Sequence, residues 1–188
     1  MQDGKNIFAA SVGELKNTRS LSMAALLAAI YAVSYSPFAG NFVIIPGVIE
    51  IRFGFLAVAV AGMLFGPVVA AIAAVIGDIA GTLLFYGGAF FWGYTLSWLL
   101  MGIVFGLFFY KNRTGLPRII GASAFNTCVI NLLLTTKWEQ MMGFGTFEAL
   151  FWKRLLLNAV MLPVNTILLV LVLRACREAF KKLERSIA

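Results

Sequence analysis

The sequence contains no histidine, only two cysteines and few charged side chains, and each shortage excludes a class of function. Cys128 and Cys176 are isolated in apolar or helical stretches, so nothing near them can complete a thiolate or imidazole metal site. No P-loop, nucleophile elbow or metal-binding cluster occurs. We therefore expect a protein that does not hydrolyse ATP and that needs neither a metal nor a cofactor.

Apolar residues are abundant instead. They make up 61% of the 188 residues, and the mean hydropathy is +0.93. A soluble domain of this length has no core large enough to bury so much apolar surface, whereas a lipid bilayer can cover it. The formal net charge of +7 is then better explained by charges that orient a membrane protein than by binding to nucleic acid.

Six apolar segments predict membrane-spanning helices, since a spanning helix needs about 20 apolar residues. Gly66-Pro67 predicts a tight turn between the second and the third, because proline is tolerated at the start of a helix but not inside it. Segment 38–52 is too broken by glycine and proline to span, and the amphipathic segment 135–154 is typical of the membrane interface. The first apolar run begins near Leu21 and continues as a full span, so no cleavable signal peptide is expected. The predicted spans are 19–36, 53–65, 68–85, 95–110, 119–134 and 155–173.

Basic residues orient these spans. With six spans both termini lie on one side, and 11 of the 15 Lys and Arg fall on that side. The positive-inside rule makes this side cytoplasmic. The prediction is an all-α integral membrane protein with six transmembrane helices and cytoplasmic N and C termini. It is a single membrane domain, 1–188, with a cytoplasmic N-terminal segment 1–17, a six-helix bundle 18–176 and a cytoplasmic tail 177–188.

Four basic residues fall on the outer side against this trend: Arg52, Lys137, Lys153 and Arg154. One interpretation is that their side chains snorkel to lipid headgroups. The other is a cationic rim that receives carboxylates or phosphates. Arg154 is favoured as a ligand contact because it lies deepest in its apolar helix.

Asp78 lies inside the third predicted span, where a carboxylate needs a polar cavity or a partner. It forms either an ion pair, with Arg52 for example, or an acceptor for the amino groups of a ligand. Asparagine amides in the last two spans can bond the edge of a heteroaromatic ring or, more ordinarily, a neighbouring helix. Asn131, nearer the outer end, is the better ligand candidate, and Asn165, deep in its span, is interpreted as a packing residue; the remaining two are Asn126 and Asn158.

Aromatic residues crowd the outer side, among them Trp92, Tyr94 and Trp138. An interfacial belt explains most of them, but a belt alone is more symmetric. The excess is typical of a pocket that stacks a flat ring, here capped by the loop from Gly87 to Gly93.

Small residues recur every four positions in the first span: Ala24, Ala28 and Ala32, with Ala25 and Ala29 beside them. Such a stripe permits close helix contact. It packs either within the bundle or against a separate membrane subunit.

These features together resemble the substrate-binding S components of energy-coupling factor (ECF) vitamin transporters, and most of all the folate group. The matching parts are AGMLFGPVVA, the following GD, the GGAFF and GYTLS loop, and W-x-R in LFWKRLLLNAVMLPVN. The resemblance covers about residues 20–175, and the alanine stripe agrees with the AxxxA docking surface of that family. Trp92 departs from the folate group, which often has proline there.

The resemblance implies a six-helix subunit of a bacterial cell membrane that captures a vitamin, most of all folate, and is not an enzyme. Its partners would be a transmembrane coupling subunit, which docks on Ala25 and Ala29, and two cytoplasmic ATPase subunits. Chemistry then assigns Arg154 and Lys137 to the glutamate carboxylates of folate, and Asp78 and Asn131 to the pterin. The full set of candidate ligand contacts is Arg154, Lys137, Asp78, Asn131, Trp92, Tyr94, Trp138 and Arg52.

Other functions remain open at this point. Riboflavin is flat and neutral and is an alternative vitamin, whereas the four outer cations disfavour cationic thiamine. An intramembrane enzyme needs a positioned acid-base pair or nucleophile, which Asp78 and scattered hydroxyls do not supply. A channel or exporter is disfavoured by the single acidic residue within the spans and the lack of an inverted repeat.

Overall fold

The computed structural model describes residues 4–36, 41–45, 49–86, 90–111 and 115–187. Of residues 4–5, 41–45, 49–52, 86, 181 and 183–187 it describes the backbone alone. The described residues form seven α-helices and one β-hairpin. π-helical segments, Thr82–Tyr86 and Asn126–Leu134, extend α3 and join α5 to α6. The elements are α1 (Gly4–Glu14), α2 (Thr18–Val33), β1 (Asn41–Ile45), β2 (Ile49–Arg52), α3 (Gly54–Gly81), α4 (Trp92–Phe109), α5 (Leu116–Phe125), α6 (Thr135–Met141) and α7 (Phe147–Ile187).

Several of these helices are long and apolar enough to cross a membrane. Four such stretches occur in the described residues: Gly54–Phe85, Trp92–Phe109, Leu116–Met141 and Phe147–Phe180. The helix Thr18–Val33 is apolar but shorter. A helical membrane protein is therefore what the structure supports, with the apolar segments where the sequence predicts them.

The longest buried stretch, α3, folds back on itself. Its backbone leaves helical geometry at Gly66, where φ is 85° and Pro67 follows. A side chain placed at Gly54 or at Gly77 would collide with the same ring, that of Tyr31. In a straight helix those two glycines would lie about 35 Å apart, at about 1.5 Å per residue. The two halves of α3 are thus the predicted second and third helices, joined by the predicted Gly66-Pro67 turn.

Glycines let α4 approach both halves of α3 closely. A Cβ on Gly102 would lie 2.7 Å from the backbone nitrogen of Ala71, and one on Gly62 would lie 2.8 Å from that of Gly106. Such contacts are typical of membrane helix packing, where small residues bring backbones together. Phe105, fully buried, lies beside them in the largest apolar cluster.

The N-terminal helix α1 is bound to the turn in α3. Ser11 is fully buried, donates to the carbonyl of Phe65 at 2.7 Å and accepts from the backbone N–H groups of Val68 and Val69. A serine hydroxyl that accepts from the first N–H groups of a helix is an N-cap, and here it comes from another helix. Segment 1–17 thus contains a packed helix.

A second contact holds the same end of the bundle. The Tyr110 hydroxyl donates to Glu14 at 3.3 Å.

Three details differ from the predicted boundaries. The segment 38–52 includes a β-hairpin in which Asn41 pairs with Arg52. The segment 135–154 is divided between α6 and the start of α7. The last helix continues well past the predicted end of its span, because α7 runs on through the charged tail to Ile187.

Candidate functional site

Several of the predicted contact residues lie at the end of the bundle remote from Gly66, where α3 ends and α4 begins. We call this the site end. Two groups of side chains lie here: one around Asp78, and one around Arg154. The first turns of α4 contact the Asp78 group and, through Ser97, Trp138 of α6, which precedes Glu139 in the sequence.

Asp78 is the centre of a buried hydroxyl cluster. Its side chain is 2% exposed. Tyr31 of α2 and Tyr35, just past the end of that helix, both donate to Oδ1, at 3.3 Å and 2.5 Å, and their hydroxyls lie 3.1 Å from each other. Thr95 of α4 donates to Oδ2 at 2.7 Å. Buried carboxylates are stable when several hydrogen bonds replace the lost water, and this cluster ties α2, α3 and α4 together.

The start of α4 places successive side chains on different neighbours. Thr95 contacts Asp78, Ser97 contacts α6, and the Trp98 ring lies 4.6 Å from the ring of Tyr31, centroid to centroid. Residues separated by one or two positions on a helix point in different directions. One helical turn therefore joins the Asp78 cluster to the rest of the site end.

Trp138 fixes α6 against α4. Its indole N–H donates to the Ser97 hydroxyl at 2.9 Å, and that hydroxyl donates to the carbonyl of Gly93 at 3.1 Å. The Phe91 ring packs edge-on against Trp138 at 6.0 Å and against Tyr94 at 5.9 Å. Predicted contacts Trp138 and Tyr94 thus lie in one aromatic group.

Arg154 forms a bidentate ion pair with Glu139. Nε donates to Oε2 at 2.9 Å, and Nη2 donates to Oε1 of the same carboxylate. Nη1 donates to the backbone carbonyl of Asn131 at 3.3 Å. Both charged side chains are about one-fifth exposed. The ion pair connects α6 to α7. The separate hydrogen bond to the main-chain carbonyl of Asn131 brings two predicted residues, Arg154 and Asn131, together.

The remaining predicted contacts are more peripheral. Lys137 is exposed and donates to the side-chain oxygen of Gln140 at 2.9 Å. Trp92 is 70% exposed and packs edge-on with Phe90. Arg52 ends β2, and its side chain lies outside the described residues, as do Gly87 and Gly88 in the predicted cap.

Polar atoms without a partner occur deeper in the bundle. Within the described residues, the side-chain oxygens of Asn126 and Thr127 and the amide nitrogen of Asn158 are buried and make no hydrogen bond. Asn126 and Thr127 begin the π-helical segment, a geometry that is rare and often functional. Nothing places them in contact with the Asp78 cluster.

The alanine stripe of α2 is divided between two surfaces. Ala24, Ala28 and Ala32 are buried, whereas Ala25 and Ala29 are exposed. The exposed pair lies in an apolar groove of about 270 Å³ between α2 and α3. The groove is lined by Leu15, Leu21, Ala24, Ala25, Ala28, Ala29, Ala32, Val69, Ile72, Ala73, Ile76 and Ala80.

Sequence reasoning did not find the hydroxyl partners of Asp78 or the partner of Arg154. The spacing of Tyr31 and Tyr35, four residues apart, is a signal that places both on one helix face. Glu139 had no comparable signal, because the loop between α6 and α7 sets its distance from Arg154. No group of three metal-ligating side chains occurs in the described parts of the chain.

Comparison with known proteins identifies relatives over most of the chain. The family model described as "ECF transporter, substrate-specific component" matches residues 19–173. The folate transporter FolT of Clostridium novyi is 36% identical over 122 residues, which are 65% of this chain and 71% of that protein. The folate transporter FolT of Leuconostoc mesenteroides is 24% identical over 155 residues, 79% of this chain and 81% of that one.

A solved structure extends the likeness to the fold. The crystal structure of FolT bound with folic acid superposes with a TM-score of 0.72 at 30% sequence identity. The match covers 82% of this chain and 92% of that one.

Proposed function

Because the chain belongs to the family of ECF transporter substrate-specific components, we propose that it binds a folate at the site end and delivers it to an ECF importer. The similarity to FolT bound with folic acid, at 30% identity over 92% of that chain, carries the choice of folate. The chemistry of the site end agrees with it, since folate combines a pterin rich in donors and acceptors, an aromatic linker and an anionic glutamate.

The proposed contacts divide by chemistry. Asp78 accepts from the amino and ring N–H groups of the pterin. Its Oδ1 accepts two hydroxyl bonds but Oδ2 only one, and a carboxylate oxygen has two lone pairs. One acceptor position on Oδ2 is therefore left for a ligand, and Asn131 is the second proposed contact to the pterin.

The anionic end of folate requires cations, and the predicted ones are Arg154, Lys137 and Arg52. Arg154 presents a planar fork suited to a carboxylate, and Lys137 is exposed at the same end, on α6. Trp138 and Tyr94 provide flat apolar faces beside them, with exposed Trp92 at the rim.

The topology that we propose has six spans with both termini in the cytoplasm of a bacterium and the site end outside. The folded-back α3 supports this count, because it supplies two spans from one helical stretch. The distribution of basic residues, 11 of 15 on the side of the termini, supports the orientation. As a single membrane domain, the bundle 18–176 lies between the N-terminal segment 1–17 and the tail 177–188.

A transmembrane coupling subunit and two cytoplasmic ATPases are the proposed partners. Ala25 and Ala29 form the docking face, since both are exposed on α2 within an apolar groove wide enough for small side chains of another helix. The chain itself supplies binding, and the partners supply the energy.

A fluorescence titration of the purified chain in detergent tests the proposal. Trp92, Trp98 and Trp138 lie at the site end, so a bound pterin should quench their emission. We expect saturable quenching by folate, and none at the same concentrations by riboflavin, thiamine or biotin. Quenching by another vitamin would keep the transport role and replace the substrate, whereas no response to any of the four would contradict the proposal.

A further inference from the structure

Arg154 is the strongest candidate for binding a carboxylate, yet a carboxylate of the protein already occupies it. Glu139 takes Nε and Nη2, and the Asn131 carbonyl takes Nη1, so all three guanidinium nitrogens have an acceptor. This is the bidentate geometry that a ligand carboxylate would adopt. Three of the five guanidinium N–H groups are thus used, and an anion can take the bidentate Nε–Nη2 edge only if Glu139 leaves it.

The position of Glu139 makes such an exchange feasible. Its side chain is about one-fifth exposed, so solvent can receive the displaced carboxylate. Glu139 lies near the end of α6, a helix of seven residues that is followed by the loop Met142–Thr146. In that loop Gly143 and Gly145 have φ of 83° and 153°, conformations that suit glycine.

We propose that Glu139 is a specificity-determining residue, because its carboxylate pairs with Arg154 in the place that a ligand carboxylate takes on binding. This inference rests on the proposed function: a folate carboxylate displaces Glu139 from the guanidinium. In the empty protein the pair avoids an uncompensated cation at a partly buried site. In the bound protein the ligand must match that carboxylate, and Glu139 turns to solvent.

Such an exchange lowers the affinity for the anionic ligand and raises the selectivity against ligands without a carboxylate. A ligand with a carboxylate replaces the ion pair with an equivalent one, whereas a ligand without one either leaves Glu139 in place or leaves Arg154 unpaired. Flat neutral compounds that could stack on Trp138 and Tyr94 are thereby disfavoured. Removing the negative charge of Glu139 should strengthen binding of the anionic ligand alone.

The test compares folate with its diamide, in which both glutamate carboxylates are replaced by carboxamides. Binding of each to the full-length chain in detergent is measured for the wild type and for Glu139→Gln. We expect folate to bind about fivefold more tightly to the variant, the scale of a partly exposed ion pair. We expect diamide binding to change less than about twofold.

Glu148→Gln is the matched control, because it removes an equal charge from an exposed residue in the first turn of α7. If this control gave the same gain, the effect would be general electrostatic attraction and the inference would fail. Unchanged or weaker folate binding by Glu139→Gln, with an unaltered melting temperature, would also overturn it. Equal changes in the affinities for folate and its diamide would show that Glu139 only supports the fold. If the wild type bound no folate, the proposed function itself would be overturned.

Discussion

Replacing Asp78 with asparagine separates two roles that the structure gives to one carboxylate. As a structural group, Asp78 accepts hydroxyl bonds from Tyr31, Tyr35 and Thr95. As a proposed ligand contact, it accepts from the pterin through the position left on Oδ2. Asparagine has the same size and keeps an oxygen acceptor, so it preserves most of the first role while removing the negative charge on which the second depends.

The size of the effect follows from the bonds involved. Hydrogen bonds to a charged group contribute about 1.5–3 kcal/mol, and those between neutral groups about 0.5–1.5 kcal/mol. The midpoints of these two ranges differ by about 1.25 kcal/mol, which corresponds to about an eightfold loss of folate affinity for one pterin bond. The fold should lose less, because the new amide can donate to the Thr95 hydroxyl and the tyrosines keep an acceptor.

Tryptophan quenching by folate and thermal unfolding of the same detergent sample measure the two effects. Thr95→Val is the matched control, since it removes the Oδ2 hydrogen bond and keeps the carboxylate. This control should lower the melting temperature and change folate affinity less than about threefold. If Asp78→Asn has the melting temperature of the wild type and binds folate as tightly, Asp78 is a packing group and our assignment of it to the pterin is wrong.

Three further predictions concern other parts of the molecule. Arg154→Ala should weaken folate binding by about tenfold or more in the same titration, because the ligand carboxylate then meets the carboxylate of Glu139 with no cation between them. Tryptophan at both Ala25 and Ala29 should abolish folate uptake by the assembled transporter while leaving binding to the purified chain intact, because bulk there fills the groove and not the site end. Ser11→Ala should destabilise the chain by about 1–2 kcal/mol, seen as a lower melting temperature, because Val68 and Val69 lose their cap.

Each of these predictions has a control or a result that would contradict it. Leu171→Trp, on an exposed position of α7, should leave uptake unchanged, so its failure would point to a general effect of bulk. Unaltered affinity in folded Arg154→Ala would remove this residue from the site. Equal loss of binding and uptake on filling the groove would show that the alanine face packs internally, and unchanged melting of Ser11→Ala would show that water caps the turn as well as Ser11 does.

The fold could be predicted where each element depends on its own residues. Apolar length located the spanning helices, and Gly66-Pro67 located the turn within α3, because proline and glycine act on the backbone directly. The helix α1 was not predicted as a packed element. Its anchor is Ser11, whose partners lie more than 50 residues away in sequence, and only the tertiary structure brings them together.

The candidate site was predictable in its residue types and not in its pairings. The cost of a carboxylate inside a span indicated that Asp78 needs partners, but an ion pair and a set of hydroxyls satisfy that need equally well from sequence. The outer position of Arg154 indicated a free cation, whereas Glu139, across the loop between α6 and α7, neutralises it. Both cases depend on distances between helices, which periodicity does not encode.

The two proposed binding surfaces, the site end and the groove around Ala25 and Ala29, both include residues of α2. Tyr31 packs against both halves of α3 and bonds to Asp78, while Ala25 and Ala29 on the same helix are exposed in the groove. A ligand that rearranges the hydroxyls around Asp78 therefore acts on a residue that is packed between α2 and α3. If folate binding changes docking through this helix, docking changes folate affinity by the same factor, because coupling between two sites is reciprocal.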